Sequence, residues 1–272
     1  MAGPIGIFDS GIGGLTVFKE IEKLLPQYDY LYLGDNARVP YGTRSFETVY
    51  QYTKECILHL FDKGCRLVIV ACNTASAKAL RNIQQRDLVT INETHRVLGV
   101  IRPTTEIVGQ LTRTRHVGIL ATQGTVSSES YVIEIKKFFP DVSVFQQACP
   151  LWVPLVENNE HESPGADYFV KKYIEGLLIQ SASIDTIILA CTHYPLLINK
   201  INQFLTPTIR LLSQGSIVAH SLIDYLERHP EIDELCSKGG CHEFYTTEST
   251  EDFDSKAALF LGRTVSSKKL QL

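Results

Sequence analysis

Short unbroken apolar runs alternate with longer stretches of helical spacing along this chain. Ile5-Gly6-Ile7-Phe8, Tyr30-Leu31-Tyr32-Leu33 and Leu67-Val68-Ile69-Val70-Ala71 have strand length and no polar face, the pattern of strands buried on both sides. After the first run, Asp9-Ser10-Gly11-Ile12-Gly13-Gly14 forms a glycine-rich turn, and 15–21 takes up helical spacing. The glycines run G-x-G-G, which is not the dinucleotide fingerprint, and taken alone they read as a tight turn. After the second run comes Asn36-Ala37-Arg38-Val39-Pro40-Tyr41-Gly42, a loop punctuated by Pro and Gly. A long amphipathic helix is expected over 45–62, with Phe46, Val49, Tyr50, Thr53, Ile57 and Phe61 near one stripe, stopped by Gly64. A further helix is expected from about 74 to 86. The order β-α-β-α-β-α predicts a parallel sheet covered on both faces.

The pattern then restarts. Val117-Gly118-Ile119-Leu120 echoes the first strand at an offset of 112 (117 minus 5), again followed by a small-residue turn, Ala121-Thr122-Gln123-Gly124-Thr125. A helix carrying Tyr131, Ile135 and Phe138 leads to a strand at 142–145. Val153-Pro154 echoes Val39-Pro40 at an offset of 114 (153 minus 39), and Cys191 echoes Cys72 at 119 (191 minus 72). Three signals in the same order at similar offsets indicate an internal duplication. We therefore expect an α/β protein of two similar lobes, each a mainly parallel sheet flanked by helices, related by pseudo-two-fold symmetry. The first lobe is placed at 1–96 plus 208–272 and carries Cys72; the second is placed at 97–207 and carries Cys191. A polar loop is expected at 158–165. Beyond it come a strand at 211–214, a helix at 215–228, a strand at 244–247 and a closing helix at 253–261, ended by Gly262. The last ten residues are polar and are expected to fray.

Ile187-Ile188-Leu189-Ala190 is a further strand buried on both faces, and it ends as the 67–71 strand does: Ala71-Cys72-Asn73-Thr74 and Ala190-Cys191-Thr192-His193. In open α/β sheets ligands bind beyond the carboxyl ends of the strands, so the active site is expected between the lobes, with both thiols reaching one ligand. A cysteine between a strand and a helix sits near the positive end of the helix dipole, which favours the reactive thiolate. One thiolate and one thiol on opposite faces are what inversion of a carbon acid requires, and microscopic reversibility makes them exchange roles. Ser10, Asn73, Thr74, Thr125 and Thr192 offer hydroxyls and an amide for carboxylates. Asp9 and His193 stand next to the two thiol turns and can each assist one of them. Three competing readings remain open: buried inert cysteines, a cysteine-dependent hydrolase using Cys191 and His193, and a two-lobed amino-acid binding protein.

Composition narrows these choices. The 272 residues, 44% hydrophobic and 21% charged, are those of an ordinary globular protein with room for a large core. A net charge of −4 gives no reason to expect nucleic acid or a membrane surface as partner. No apolar run has the length of a membrane span, and the first residues lead straight into a strand pattern, so no secretory signal is expected. Seven scattered cysteines suggest reduced thiols in the cytoplasm. No metal site is expected, since there is no C-x-x-C pair and Cys236-x4-Cys241-His242 lacks a second half. Cys56, Cys65, Cys149 and Cys236 read as structural.

At the residues just described, the chain resembles the glutamate racemase family of the aspartate/glutamate racemase superfamily. The likeness runs through Phe8-Asp9-Ser10-Gly11-x-Gly13-Gly14-Leu15-Thr16, Gly34-Asp35-x-x-Arg38-x-Pro40-Tyr41-Gly42 and Ala71-Cys72-Asn73-Thr74-Ala75-Ser76. It continues through Gly124-Thr125 with Ser128 and Tyr131, Cys149-Pro150 with Val153-Pro154-Leu155-Val156-Glu157, and Leu189-Ala190-Cys191-Thr192-His193-Tyr194-Pro195-Leu196. The Asp-Ser-Gly turn and the Thr-His-Tyr-Pro sequence look like the glutamate branch; a racemase of another amino acid such as aspartate is the alternative. The resemblance implies cofactor-independent interconversion of L- and D-glutamate, a small-molecule substrate, in supply of D-glutamate for peptidoglycan. It implies Cys72 as the base toward the D-isomer and Cys191 as the base toward the L-isomer, with Asp9 and His193 assisting. It implies substrate contacts at Asp9, Ser10, Pro40, Tyr41, Gly42, Asn73, Thr74, Thr125, Glu157, Thr192 and His193. Family members often form dimers, which leaves a homodimer open. Ala121 stands where many members have Gly. There is no long N-terminal extension, so activation by a cell-wall precursor is not expected.

Overall fold

The computed structural model describes residues 2–92 and 94–272, which form two compact units: Met1–Val100 with Gly215–Leu272, and Ile101–Gln214. The first unit is built on a six-stranded sheet in the order β10-β9-β2-β1-β3-β4. Its strands are β1 (Ile5–Asp9), β2 (Tyr30–Gly34), β3 (Leu67–Val70), β4 (Arg96–Gly99), β9 (His242–Thr246) and β10 (Ser267–Lys269). Every pairing is parallel, with Ile5 opposite Tyr30 and Gly6 opposite Val68. β1, β2 and β3 are buried at every position, as their unbroken apolar runs predict. Helices α1 (Leu15–Leu24), α2 (Phe46–Asp62) and α3 (Asn73–Lys78) connect them. The α2 start is sharp because the Ser45 hydroxyl accepts the Thr48 amide at 3.1 Å, the N-cap bond that a serine supplies. Val49, Cys56, Ile57 and Leu60 of that helix enter a core shared with Phe8, Val68 and Val70.

The second unit is built on four parallel strands in the order β6-β5-β7-β8: β5 (His116–Ala121), β6 (Ser143–Ala148), β7 (Thr186–Ala190) and β8 (Arg210–Leu212). This is the order β2-β1-β3-β4 repeated. In each unit the first strand lies inside, the second joins one side, the third joins the other, and the fourth lies beyond the third. The duplication read from three weak sequence echoes thus has a counterpart in topology. Cys72 and Cys191 follow equivalent strands, β3 and β7.

Several expectations differ from what is observed. The 96–99 strand, placed at the head of the second lobe, pairs with β3 in the first sheet, Leu67 opposite Arg96. The 210–212 strand, placed in the first lobe, pairs with β7 in the second, Thr186 opposite Arg210. The chain tail does not fray: Ser267–Lys269 adds a parallel edge strand to β9, and the Leu270 amide donates to the Thr246 carbonyl at 2.8 Å. The expected 74–86 helix is broken. α3 ends at Lys78, Ala79 stays in the helical region at φ −117° and ψ −39°, and helical turns resume over Leu80–Asn82, Ile83–Asp87 and Leu88–Ile91, the middle one wider than an α-helix. The expected 158–165 loop is cut short by a helix, Pro164–Leu178, with proline in its first turn, where no amide partner is needed. No helix among the described residues is long and apolar enough to cross a membrane.

Candidate active site

In the first unit, the candidate residues collect at the carboxyl ends of β1, β2 and β3. Asp9 ends β1, fully buried, and its carboxylate accepts the Gly11 amide at 2.9 Å, which shapes the turn. The turn needs its glycines for space. A Cβ on Gly14 would stand 2.6 Å from the Cβ of Asp9, and one on Gly34 would stand 2.4 Å from the Gly11 carbonyl oxygen. Tyr32 closes the floor by donating its hydroxyl to the Gly11 carbonyl at 3.0 Å. Burial, together with the nearby charges of Asp9 and Cys72, pushes that phenol well above its usual range, so it stays a donor.

Cys72 follows β3 and is the N-cap of α3, with extended backbone. Its sulfur accepts the Ala75 amide at 3.4 Å and lies 3.3 Å from the Ser10 hydroxyl. A backbone N–H aimed at sulfur favours thiolate over thiol. Asn73 and Thr74, the first two residues of the helix, are buried beside it.

The loop after β2 carries Pro40, Tyr41 and Gly42, and Pro40 follows a cis peptide bond. Tyr41 is 2% exposed and its hydroxyl donates to the Asp35 carboxylate at 2.5 Å. The Tyr41 side chain is thus held in the interior, next to the half-buried Gly42 and the exposed Pro40. Asp35 is fully buried and also accepts from Arg38 Nε at 2.6 Å and from the Thr247 hydroxyl at 2.9 Å. Sequence reasoning quoted Asp35 and Arg38 in a motif but gave them no role. The Gly-Asp-x-x-Arg spacing was the available signal, since Arg38 reaches back to Asp35 across one turn.

In the second unit, Thr122 follows β5 and caps the short helix Gln123–Ser127, its hydroxyl accepting the Thr125 amide at 3.3 Å and lying 3.2 Å from the Thr125 hydroxyl. Thr125 is fully buried. Cys191, Thr192 and His193 follow β7, and all three are buried. No α-helix starts at Cys191; the chain makes a 3-10 turn over Tyr194–Leu197 first. Cys191 thus lacks the cap that supports Cys72, and His193 takes that place. Burial alone would lower the imidazole, but hydrogen bonds to Cys191 and Glu157, with their negative charges, raise it to about 10. Glu157 ends the helix Trp152–Glu157 and its Oε1 is 2.9 Å from His193 Nε2. That helix is anchored by Trp152, fully buried and edge-on to Tyr194 at 4.8 Å. Tyr194 in turn donates to the Cys149 carbonyl at 3.1 Å. Burial and the negative charge of Cys191 push the Cys149 thiol well above its usual range, which keeps it a neutral core residue.

Each unit therefore carries one buried thiol at an equivalent strand end, with a different supporting group. All seven cysteines are free. Among the described residues no group of three or more His, Cys, Asp or Glu side chains is placed to hold a metal ion. The family model for Asp/Glu/hydantoin racemases matches residues 5–220, and the chain belongs to that family of amino-acid racemases. The particular proteins it is similar to are glutamate racemases. It is 41% identical to glutamate racemase from Geobacter metallireducens over 258 residues, covering 95% of this chain and 92% of that one. A crystal structure of a glutamate racemase isoform from Bacillus anthracis superposes with a TM-score of 0.90 at 32% identity, covering 99% of this chain and 98% of that one. Glutamate racemase from Francisella tularensis, in complex with D-glutamate, superposes with a TM-score of 0.87 at 30% identity, covering 98% of this chain and 97% of that one.

Proposed function

We propose that this chain is a glutamate racemase, which interconverts L- and D-glutamate with two cysteine side chains and no cofactor and supplies D-glutamate for peptidoglycan. The observation that carries the reading is the matched pair of thiols, Cys72 after β3 and Cys191 after β7, in two units of the same strand order. The α-proton of an amino acid is weakly acidic, so its removal needs a strong local base and an acid ready on the other face. In one direction a thiolate takes the α-proton while the other thiol returns a proton to the opposite face; in the reverse direction the roles exchange. Cys72 is poised by the Ala75 amide and accompanied by Ser10 and Asp9. Cys191 is poised by His193, which Glu157 holds in place. The buried hydroxyls and amide of Thr125, Thr192, Thr74 and Asn73 and the backbone at Tyr41 and Gly42 offer donors to the substrate carboxylates. The free thiols agree with a reducing compartment such as the cytoplasm. A homodimer belongs to the same reading and is checked by sedimentation.

Incubation of either isomer in D2O tests the reaction. Deuterium is expected to enter the Cα position of both, and absence of exchange from both isomers overturns the reading. A second reading, a cysteine hydrolase, is favoured by the hydrogen bond between His193 and Cys191. It predicts a trapped acyl-thioester on Cys191 and full activity without Cys72.

A further inference from the structure

We infer that Lys78 is a positioning residue: it fastens the far end of the 36–44 loop to the helix that begins at Cys72, and so holds the backbone of Tyr41 and Gly42 in the conformation that receives substrate. The inference rests on the racemase reading for what the loop binds, but the tether itself is a matter of contacts within the first unit.

At its start the loop is tied by several bonds: Asp35 collects Tyr41, Arg38 and Thr247 on one buried carboxylate, the Ala37 amide donates to the Thr247 hydroxyl at 2.9 Å, and Asn36 Oδ1 accepts the Thr246 hydroxyl at 3.0 Å. Beyond Gly42 the Arg44 amide donates to the Tyr41 carbonyl at 3.1 Å, a bond within the turn itself. Tyr41–Thr43 forms a single short turn that packs against α3, and Arg44 and Ser45 then lead exposed into α2. The fastening at the far end is Lys78, the last residue of α3. Its Nζ donates to the Arg44 carbonyl at 2.5 Å and lies 4.9 Å from the ring centre of Phe46, the first residue of α2. Lys78 is only 8% exposed, an unusual place for a lysine unless its charge is used. An ammonium bonded to a carbonyl is a charge-assisted bond, stronger than a neutral one, and a ring face adds cation–π attraction. Since α3 starts at the Cys72 cap, one short helix connects the catalytic thiol to the loop. Six residues of helix leave little length over which that connection can flex.

A tether of this kind acts on substrate binding. Its loss lets the loop sample conformations in which its backbone donors point elsewhere, so the apparent affinity falls by the fraction of competent molecules. In Lys78→Met, which keeps the stem and removes the charge, KM for both isomers is expected to rise about tenfold with kcat reduced less than threefold. Lys78→Arg, which keeps a charged donor of similar reach, should restore KM to within about threefold. Backbone hydrogen exchange reads the tether directly: the 36–45 segment should exchange faster in Lys78→Met, while the β1 and β3 segments stay as in the parent. A Met variant with KM within twofold and unchanged exchange at 36–45 overturns the inference. So does a loss confined to kcat with a lowered melting temperature, which is the mark of a general packing role. If the parent itself fails to racemise glutamate while the exchange difference is present, the racemase reading falls and the tether stands.

Discussion

Glu157→Gln isolates what the second unit does to its thiol. His193 is raised from 6.5 to about 10, against the lowering that burial alone would cause, by hydrogen bonds to Cys191 and Glu157. At 1.36 kcal/mol per pH unit, the rise of 3.5 (10 minus 6.5) corresponds to roughly 5 kcal/mol in favour of the imidazolium. Glu157 supplies one charge-assisted bond of 2.9 Å, worth about 1.5–3 kcal/mol. Glutamine keeps the shape and removes the charge, so the imidazolium should lose its proton about one to two pH units earlier. The alkaline limb of kcat/KM, followed by circular dichroism of the substrate, should move down by that amount. The sign for stability follows from the raised value. Below 6.5 the imidazole is charged whether the chain is folded or not, so the stabilisation is fully present; it is lost as pH rises through about 10. Urea unfolding should therefore find Glu157→Gln less stable than the parent by about 1.5–3 kcal/mol at pH 6, with the difference shrinking toward zero above pH 10. An unmoved alkaline limb, or the same stability difference at both pH values, refutes the assignment of Glu157 as the charge that holds His193.

Three further outcomes are expected. Cys72→Ala and Cys191→Ala should each lower racemisation by about 10²- to 10⁴-fold, and wild-type turnover in either variant would end the two-thiol assignment. Gly34→Ala puts a methyl 2.4 Å from the main-chain oxygen of Gly11, where no side chain can give way, and should cost about 1–3 kcal/mol in urea unfolding; an unchanged midpoint would show that the turn has slack. Trp152→Ala empties a fully buried site against Tyr194 and should cost about 3–5 kcal/mol, with Glu157 losing its footing, so that KM and melting temperature change together; a stable variant with parental KM would separate the helix from the site.

What the sequence made legible, and what it hid, divides along a physical line. Strands buried on both faces announce themselves, because every position must be apolar, and β1, β2, β3, β5 and β7 were all read that way. Which sheet a strand joins is a different question. Arg96–Gly99 and Arg210–Leu212 carry no mark of their partner, because parallel pairing is made by backbone groups that every residue owns. β10 is harder still: Ser267-Lys268-Lys269 is polar, as an edge strand tolerates, and only Leu270 behind it turns inward. The candidate site follows the same rule. Two Ala-Cys strand ends were visible as a repeat, and the repeat suggested equal support from two helix starts. The residues after the cysteines decide otherwise. Asn73-Thr74-Ala75-Ser76 enters a helix at once, and its amide reaches the Cys72 sulfur. The amide in the position of Ala75 is that of Tyr194, which donates to the Cys191 carbonyl at 3.1 Å, and Pro195 after it disfavours helical geometry there. The chain therefore turns through Tyr194–Leu197 before a helix can form, and no amide cap forms at Cys191. His193 with Glu157 then stands beside the thiol of the second unit, where the first unit has Ser10 beside Cys72 and Asp9 in the preceding turn. The proline was in plain view; what it hid is that two matched thiols have unmatched neighbours.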